Sequence, residues 1–472
     1  MSEFERQHPI ATVTRLATAV KQNLITFIVL FIGAANTGSN IALYSIVGGV
    51  VFSFFYGIFS WWQYKFRVVD GELQIISGVF VKKKLYLSKE RIQVIDITEG
   101  LIQRMFGLVQ MNVKTAGSGT EKASISAITR EKAIELQNLL RFDEIEKDSV
   151  SEQEKESVIE RKLEFRELIY AALTSGSFGI IASIMGAISS QLDAFINEEN
   201  LNYLSTNLPG YTDNVLIIMV VVLFIFFAWV LSFMGVVIQY SDFKIQRKEK
   251  ELVITRGLFE RKQITVPFNR IQAVRIVESF ARLPFGRAMI YLESAGFQVD
   301  KTKSVIAMPI IKYSDVEGFL DEFLDGYRVQ DVVVKPPKRA LIKYIRRPNY
   351  PLLVAVPAFA ILASIEFSWL LLLAIPLGYL GWKGYKENGV YIGEKLLVVK
   401  ERFFARKTVL INKSRVQVAQ VKMNPFQLRK DLATYQVTVA SGKEGISFNV
   451  MDLEREEAER LIKWPVLKSI EY

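Results

Sequence analysis

Three times along the chain the triplet Arg-Ile/Val-Gln recurs in like surroundings, as Arg91-Ile92-Gln93, Arg270-Ile271-Gln272 and Arg415-Val416-Gln417. Recurrence of this kind means one structural unit copied three times, and a one-domain enzyme with insertions would not repeat this way. Before each triplet, alternating apolar residues flank a short polar turn, the pattern of a β-hairpin with one buried face. After each triplet, further strand patterns end at Gly117, Gly296 and Gly442, which lie 26, 26 and 27 residues beyond the Arg. The third copy lacks the Phe-Gly pair present as Phe106-Gly107 and Phe285-Gly286. Helical patterns close the copies over Arg130 to Arg141, Ser314 to Tyr327 and Asp452 to Lys463, and Asp452 is placed as an N-cap. Each copy therefore reads as six or seven strands and a closing helix.

Apolar runs precede the copies in pairs: Leu24 to Ala35 with Ile41 to Trp62, Leu168 to Leu192 with Val215 to Ile238, and Leu352 to Ile365 with Phe367 to Trp382. Val215 to Ile238 is a charge-free run of 24 residues, longer than the roughly 20 that cross a bilayer. A mean hydropathy of +0.21 with 32 Phe agrees that part of the apolar surface faces lipid. The links within the pairs (36 to 40, 193 to 214, and Glu366) carry no Lys or Arg, whereas the flanking segments are basic, so positive-inside reasoning places both termini and the large segments in the cytoplasm. The fold expected is membrane α + β, with three transmembrane helical hairpins (six helices), each followed by a cytoplasmic β-domain. The boundaries are a tail at 1–23, hairpins at 24–62, 168–238 and 351–382, β-domains at 63–141, 239–327 and 383–472, a charged helical linker at 142–167 and a second linker at 328–350.

Several chemistries are disfavoured. Without Cys there is no disulfide, thiolate metal site or cysteine nucleophile. The one histidine, His8, lies in the N-terminal tail, so a Ser-His-Asp triad would have to recruit an unstructured arm. No Gly-rich phosphate or dinucleotide cradle is present. No catalytic residue, metal ligand or cofactor is expected, and the chain reads as a non-enzyme.

The order of hairpin, strand meander with the Arg-[Ile/Val]-Gln turn, and closing helix resembles the bacterial PH-like (bPH2) domain membrane proteins of the YdbS/YdbT type, and the three copies match the longer, YdbT-type member. The resemblance covers residues 16 to 472. It implies that each β-domain is a PH-like, strongly bent antiparallel β-barrel capped by a C-terminal helix. It further implies a smaller single-repeat partner, and protection of Gram-positive cells from membrane-active bacteriocins.

Lys+Arg against Asp+Glu is 18 to 18 over 63–168, 21 to 13 over 239–350 and 17 to 11 over 383–472, so the net charge of +10 belongs to the second and third copies. Lys82, Lys83, Lys84, Arg261, Lys262, Lys338, Arg339, Arg346, Arg347, Arg406 and Lys407 are candidates for anionic lipid headgroups, which attract juxtamembrane cations by about 1 kcal/mol each; flanking clusters that fix topology, or that blunt edge strands, have the same composition. The repeated pairs Arg91/Gln93, Arg270/Gln272 and Arg415/Gln417 could hold a phosphate or close a strand edge against another repeat. Membrane lipids and a single-repeat protein are the expected partners, and nucleic acid is not. Rival readings are a transporter or peptide-extruding protein, a lipid-binding scaffold, and a Lys/Asp-dependent lipid enzyme.

Overall fold

A computed structural model of the chain describes residues 3–14, 16, 40–89, 92–115, 122–140, 159–175, 213–294, 304–352, 356–357, 371–441 and 445–466. Among the described residues each copy contributes six strands. The first holds β2 (Lys65–Val69), β3 (Glu72–Ser77), β4 (Lys83–Ser88), β5 (Ile92–Glu99), β6 (Leu108–Thr115) and β7 (Lys122–Thr129), preceded by the short β1 (Glu5–Arg6). The second holds β9 (Lys244–Arg247), β10 (Glu251–Arg256), β11 (Arg261–Pro267), β12 (Ile271–Glu278), β13 (Arg287–Ser294) and β14 (Ser304–Lys312), preceded by β8 (Ile159–Lys162). The third holds β15 (Gly389–Ile392), β16 (Leu396–Arg402), β17 (Arg406–Asn412), β18 (Val416–Lys422), β19 (Leu432–Val439) and β20 (Ile446–Glu454).

The chain forms two compact units, and their division falls inside the second copy. Unit one holds Met1–Glu160, Gln246–Arg270 and Ala295–Phe297; unit two holds the rest. In unit one the sheet β1-β2-β3-β4 faces strands of the sheet β7-β6-β5-β11-β10-β9-β8, of which β7 to β10 belong to this unit. Side chains alternate across each strand, so Phe66, Val68, Leu73, Ile75 and Leu87 meet Ile97, Met111, Val113 and Ile125 in one core. The helix Arg130–Leu139, N-capped by Thr129, closes that core with Ala133 and Leu136. In unit two the sheet β14-β13-β12-β17-β16-β15 and the sheet β18-β19-β20 share a core of Leu397, Val399, Val409, Tyr435, Val437 and Val450. The helix Arg455–Val466 covers it through Ala458 and Leu461.

The expectation of six spanning helices in three hairpins, each followed by its own barrel, is corrected on both counts. Among the described residues no helix is long and apolar enough to cross a membrane. Second limbs are described as the helices Asn40–Gln63, Asp213–Tyr240 and Ala374–Glu387. The last has 14 residues, about 21 Å at 1.5 Å per residue, against a hydrocarbon core of about 30 Å. Its end is docked on protein: a Cβ on Gly381 would lie 2.2 Å from the Tyr344 carbonyl oxygen, and one on Gly384 2.8 Å from that of Arg402. The run starting at Leu168 opens as the helix Phe165–Leu173, which packs on the helix Asp213–Tyr240 and on β14 and buries Leu168, Ala171 and Ala172. An apolar run records burial in protein and in lipid alike, so run length overstated the lipid-facing part. The limb Leu24 to Ala35, the rest of Leu168 to Leu192, most of Leu352 to Ile365, and Glu366 lie outside the described residues.

The barrel is corrected by pairing. The half-sheets of adjacent copies join edge to edge, β5 with β11 and β12 with β17, so the copies are not self-contained closed barrels. Two smaller expectations also change. The tail around His8 is docked, not free: His8 N–H donates to the Ala127 carbonyl at 2.9 Å, Trp61 Nε1 donates to the Gln7 carbonyl at 2.8 Å, and Ala11 is fully buried against Leu108 and Ala127. Within the segment read as a helical linker, residues 142–158 lie outside the described residues and Ile159–Lys162 is a strand.

Candidate functional site at the repeat junctions

The Arg-x-Gln triplets mark a corner. Arg270 ends the 3-10 turn Phe268–Arg270 and Arg415 the turn Lys413–Arg415, where the chain passes from the last strand of one half-sheet to the first of the next. Arg91 lies outside the described residues. In all three copies the Gln falls at a register shift, between Ile92 and Val94, Ile271 and Ala273, and Val416 and Val418. Such a bulge sets two residues against one and bends the strand, so the triplet's backbone role is to turn the chain. Gln272 is buried and Gln417 exposed. The difference follows from pairing: β12 is flanked by β13 and β17, whereas among the described residues β18 pairs with β19 alone.

That pairing builds the same junction twice. Strand β11 runs antiparallel to β5 with Arg261 opposite Glu99, Lys262 opposite Thr98, Gln263 opposite Ile97 and Ile264 opposite Asp96. Strand β17 runs antiparallel to β12 with Arg406 opposite Glu278 and Lys407 opposite Val277, continuing to Ile411 opposite Ala273. A cation that opens the third strand of one copy thus meets a carboxylate that ends the fourth strand of the copy before it.

In unit two the pair is a two-pronged ion pair. Arg406 Nη2 donates to Glu278 Oε1 at 2.6 Å, and Arg406 Nε donates to Glu278 Oε2. Glu278 is 1% exposed. The hydrogen bonds to Glu278 hold the Arg406 guanidinium charged more firmly than usual, against the opposing effect of burial. Fork-to-carboxylate geometry of this kind adds directional specificity to the Coulomb attraction. The same guanidinium lies 5.0 Å from the centre of the Tyr313 ring, and burial first, then the Glu278 charge, pushes the Tyr313 phenol upward. In unit one the junction is looser. Glu99 accepts from Arg130 Nη1 at 3.0 Å, and Arg104 Nη1 donates to the Leu258 carbonyl at 3.3 Å in the turn before β11.

The remaining basic residues separate into engaged and open ones. Arg347 Nη2 donates to Asp452 at 2.6 Å, Arg339 Nη2 to Glu454 at 2.9 Å, Lys262 lies 3.6 Å from Glu260 and Lys407 4.0 Å from Glu401. Lys82, Lys83, Lys84, Lys338 and Arg346 are exposed.

Some buried carboxylates escape a reading by composition. Asp452 is not a helix cap: it is a fully buried strand residue with φ of 57°, bound by Arg347 and by Gln427 Nε2 at 2.8 Å. Glu293 is also fully buried, with Arg275 Nε at 3.0 Å and Ser304 Oγ donating at 2.9 Å; desolvation raises its pKa, which the Arg275 charge opposes. Glu99 and Glu278 do carry a sequence signal, since they stand at the same place in copies one and two, where copy three has Met423.

Comparison with known proteins gives a consistent result. The chain is 31% identical over 488 residues, covering 98% of each chain, to the UPF0699 transmembrane protein YdbT of Bacillus subtilis (strain 168). No solved structure matches. The model of the family described as Bacterial PH domain matches residues 15–142, 201–325 and 351–465, the same three copies that the triplets mark. The chain is therefore a member of the bacterial PH domain family that carries the domain three times.

Proposed function

We propose that this is a non-enzymatic membrane protein whose PH-like modules bind other PH-like modules strand to strand. In this reading it acts with a smaller, single-module partner in resistance to membrane-active bacteriocins, with modules and termini on the cytoplasmic side. The observation that carries the reading is the junction built twice, in which one module's strand edge joins the next by backbone pairing with a cation and a carboxylate opposed in register, closed at Arg406 and Glu278 by a salt bridge. Attachment to the membrane is supported by the relative named a transmembrane protein and by the bare apolar surface of two helices. Phe52, Phe55 and Trp62 on Asn40–Gln63, and Phe227 and Leu231 on Asp213–Tyr240, are all exposed, a larger apolar surface than water-facing helices carry.

The test is a deletion strain with a complementing copy. The proposal expects the protein in the membrane fraction and a several-fold greater sensitivity to a pore-forming bacteriocin in the deletion, restored by complementation. Unchanged sensitivity, with no second PH-like protein co-purifying from membranes, would overturn it. A labelled phospholipid turned over by the purified protein would overturn the non-enzymatic part alone.

A further inference from the structure

The repeat register identifies an unused copy of the junction. Relative to the triplet, Lys82, Lys83, Lys84 and Leu85 occupy the places of Arg261, Lys262, Gln263 and Ile264, so β4 corresponds to β11 and β17. The correspondence extends to the backbone. Gly78 and Gly257 both have φ of 109°, and a Cβ there would lie 2.0 and 2.1 Å from the carbonyls of Val81 and Glu260, so the turns leading into β4 and β11 have one shape. Strands β11 and β17 each carry a partner from the preceding copy. Among the described residues β4 carries no such partner and pairs with β3 alone. Lys82, Lys83, Lys84 and Tyr86 are exposed, as are Phe80 (87%) and Val81 (71%) in the adjoining turn.

We propose that the open edge of β4 docks a PH-like module of a different polypeptide, through an antiparallel strand of the β5/β12 type that ends in a carboxylate opposite Lys82. This deepens the strand-to-strand reading above and rests on it. Three observations select the occupant. Both internal junctions place a carboxylate opposite the cation that Lys82 replaces, which sets the charge required. The chain's own strands of that type are taken, since β5 lies between β6 and β11 and β12 between β13 and β17. Among the described residues the one such strand with an open edge, β18, ends in Lys422 followed by Met423 in place of the carboxylate. A second copy offering β18 would set Lys422 near Lys82 and Lys83, and like charges facing each other across strands repel. The open edges of β4 and β18 are thus unsuited to each other, which blocks head-to-tail polymerisation while leaving β4 matched to an acidic strand from elsewhere. Addition of a strand to an exposed edge gains its affinity from main-chain hydrogen bonds and its selectivity from side chains.

The charge rule can be tested with the purified full-length chain in detergent, by making its own β18 acidic. Lys422→Val with Met423→Glu gives β18 the ending of β12 at two exposed positions. The proposal expects wild type to run as a single copy by native mass spectrometry and the double variant to form dimers and longer species. Adding Lys82→Glu and Lys83→Glu to that variant returns it to a single copy, with the melting midpoint within a few degrees of wild type throughout. A double variant that stays a single copy, or assembly indifferent to the charge at Lys82 and Lys83, would overturn the proposal. Wild-type oligomers dispersed by Lys82→Glu would also overturn it, because the occupant would then be a second copy of this chain. A bacteriocin phenotype does not enter this readout, so loss of the resistance reading and loss of this one are distinguishable.

Discussion

Replacing Glu278 with alanine is expected to destabilise unit two by about 3–5 kcal/mol, the cost of leaving a buried charge without its partner. The carboxylate is 1% exposed and takes both prongs of Arg406. Once it is gone, Arg406 is left with Glu387, which lies 3.9 Å away and is already bound to Arg402. Glu278→Met combined with Arg406→Met should regain most of the loss, since apolar residues of similar volume remove the desolvation penalty on both sides. The corresponding change in unit one, Glu99→Ala, is expected to cost less than about 1 kcal/mol. Its partner Arg130 is 55% exposed, and water screens an open pair. Denaturant unfolding in detergent, followed by tryptophan fluorescence, separates these outcomes.

Asp452→Ala should have an effect of similar size for a different combination of reasons. The carboxylate is fully buried and accepts from Arg347 at 2.6 Å and from Gln427 at 2.8 Å, with the Lys343 ammonium at 3.8 Å. Alanine would leave these donors unpaired at about 1–3 kcal/mol for each buried group. It would also have to adopt a φ of 57°, a left-handed conformation that costs an L-residue with a Cβ about 1–2 kcal/mol and that Asp and Asn tolerate. Asp452→Asn keeps the backbone and one acceptor and should lose clearly less. A drop in melting temperature for alanine no larger than that for asparagine would refute this account of the buried carboxylate.

The contrast between what could and could not be read from the sequence has a physical origin. Alternation of apolar residues such as Phe66/Val68 and Leu73/Ile75 reports which face of a strand is buried, so the run of six or seven strands in each copy is legible. The triplets were equally readable as corners, because a bulge and a 3-10 turn are local. Edge partners are different. Face periodicity is identical whether β11 pairs within its own copy or with β5, and only the charge at the strand ends, Arg261 against Glu99 and Arg406 against Glu278, distinguishes the two. The replacement of that Glu by Met423 is visible in the sequence, yet it acquires meaning only when the junction is known. The apolar runs failed for a related reason. Ala171 and Ala172 are buried in a helix that packs on β14 and on the helix Asp213–Tyr240, and Gly381 lies against Tyr344, and nothing in their hydropathy distinguishes that burial from contact with lipid. Buried polar residues such as Asp452 and Glu293 were missed because their partners, Arg347 and Arg275, are distant in sequence or hidden in an alternating strand.

The central claim is that adjacent copies share one sheet. The chain has no cysteine, so an engineered pair reports without background. Val277 and Lys407 face each other in the β12–β17 register, where opposed Cα atoms stand about 4.5–5.5 Å apart, inside the range a disulfide bridges. The full-length Val277→Cys/Lys407→Cys protein is oxidised in membranes, digested and analysed by mass spectrometry. The account predicts that the peptides holding positions 277 and 407 are recovered predominantly as one disulfide-linked species. Recovery of both as separate thiols that label freely with maleimide would contradict it.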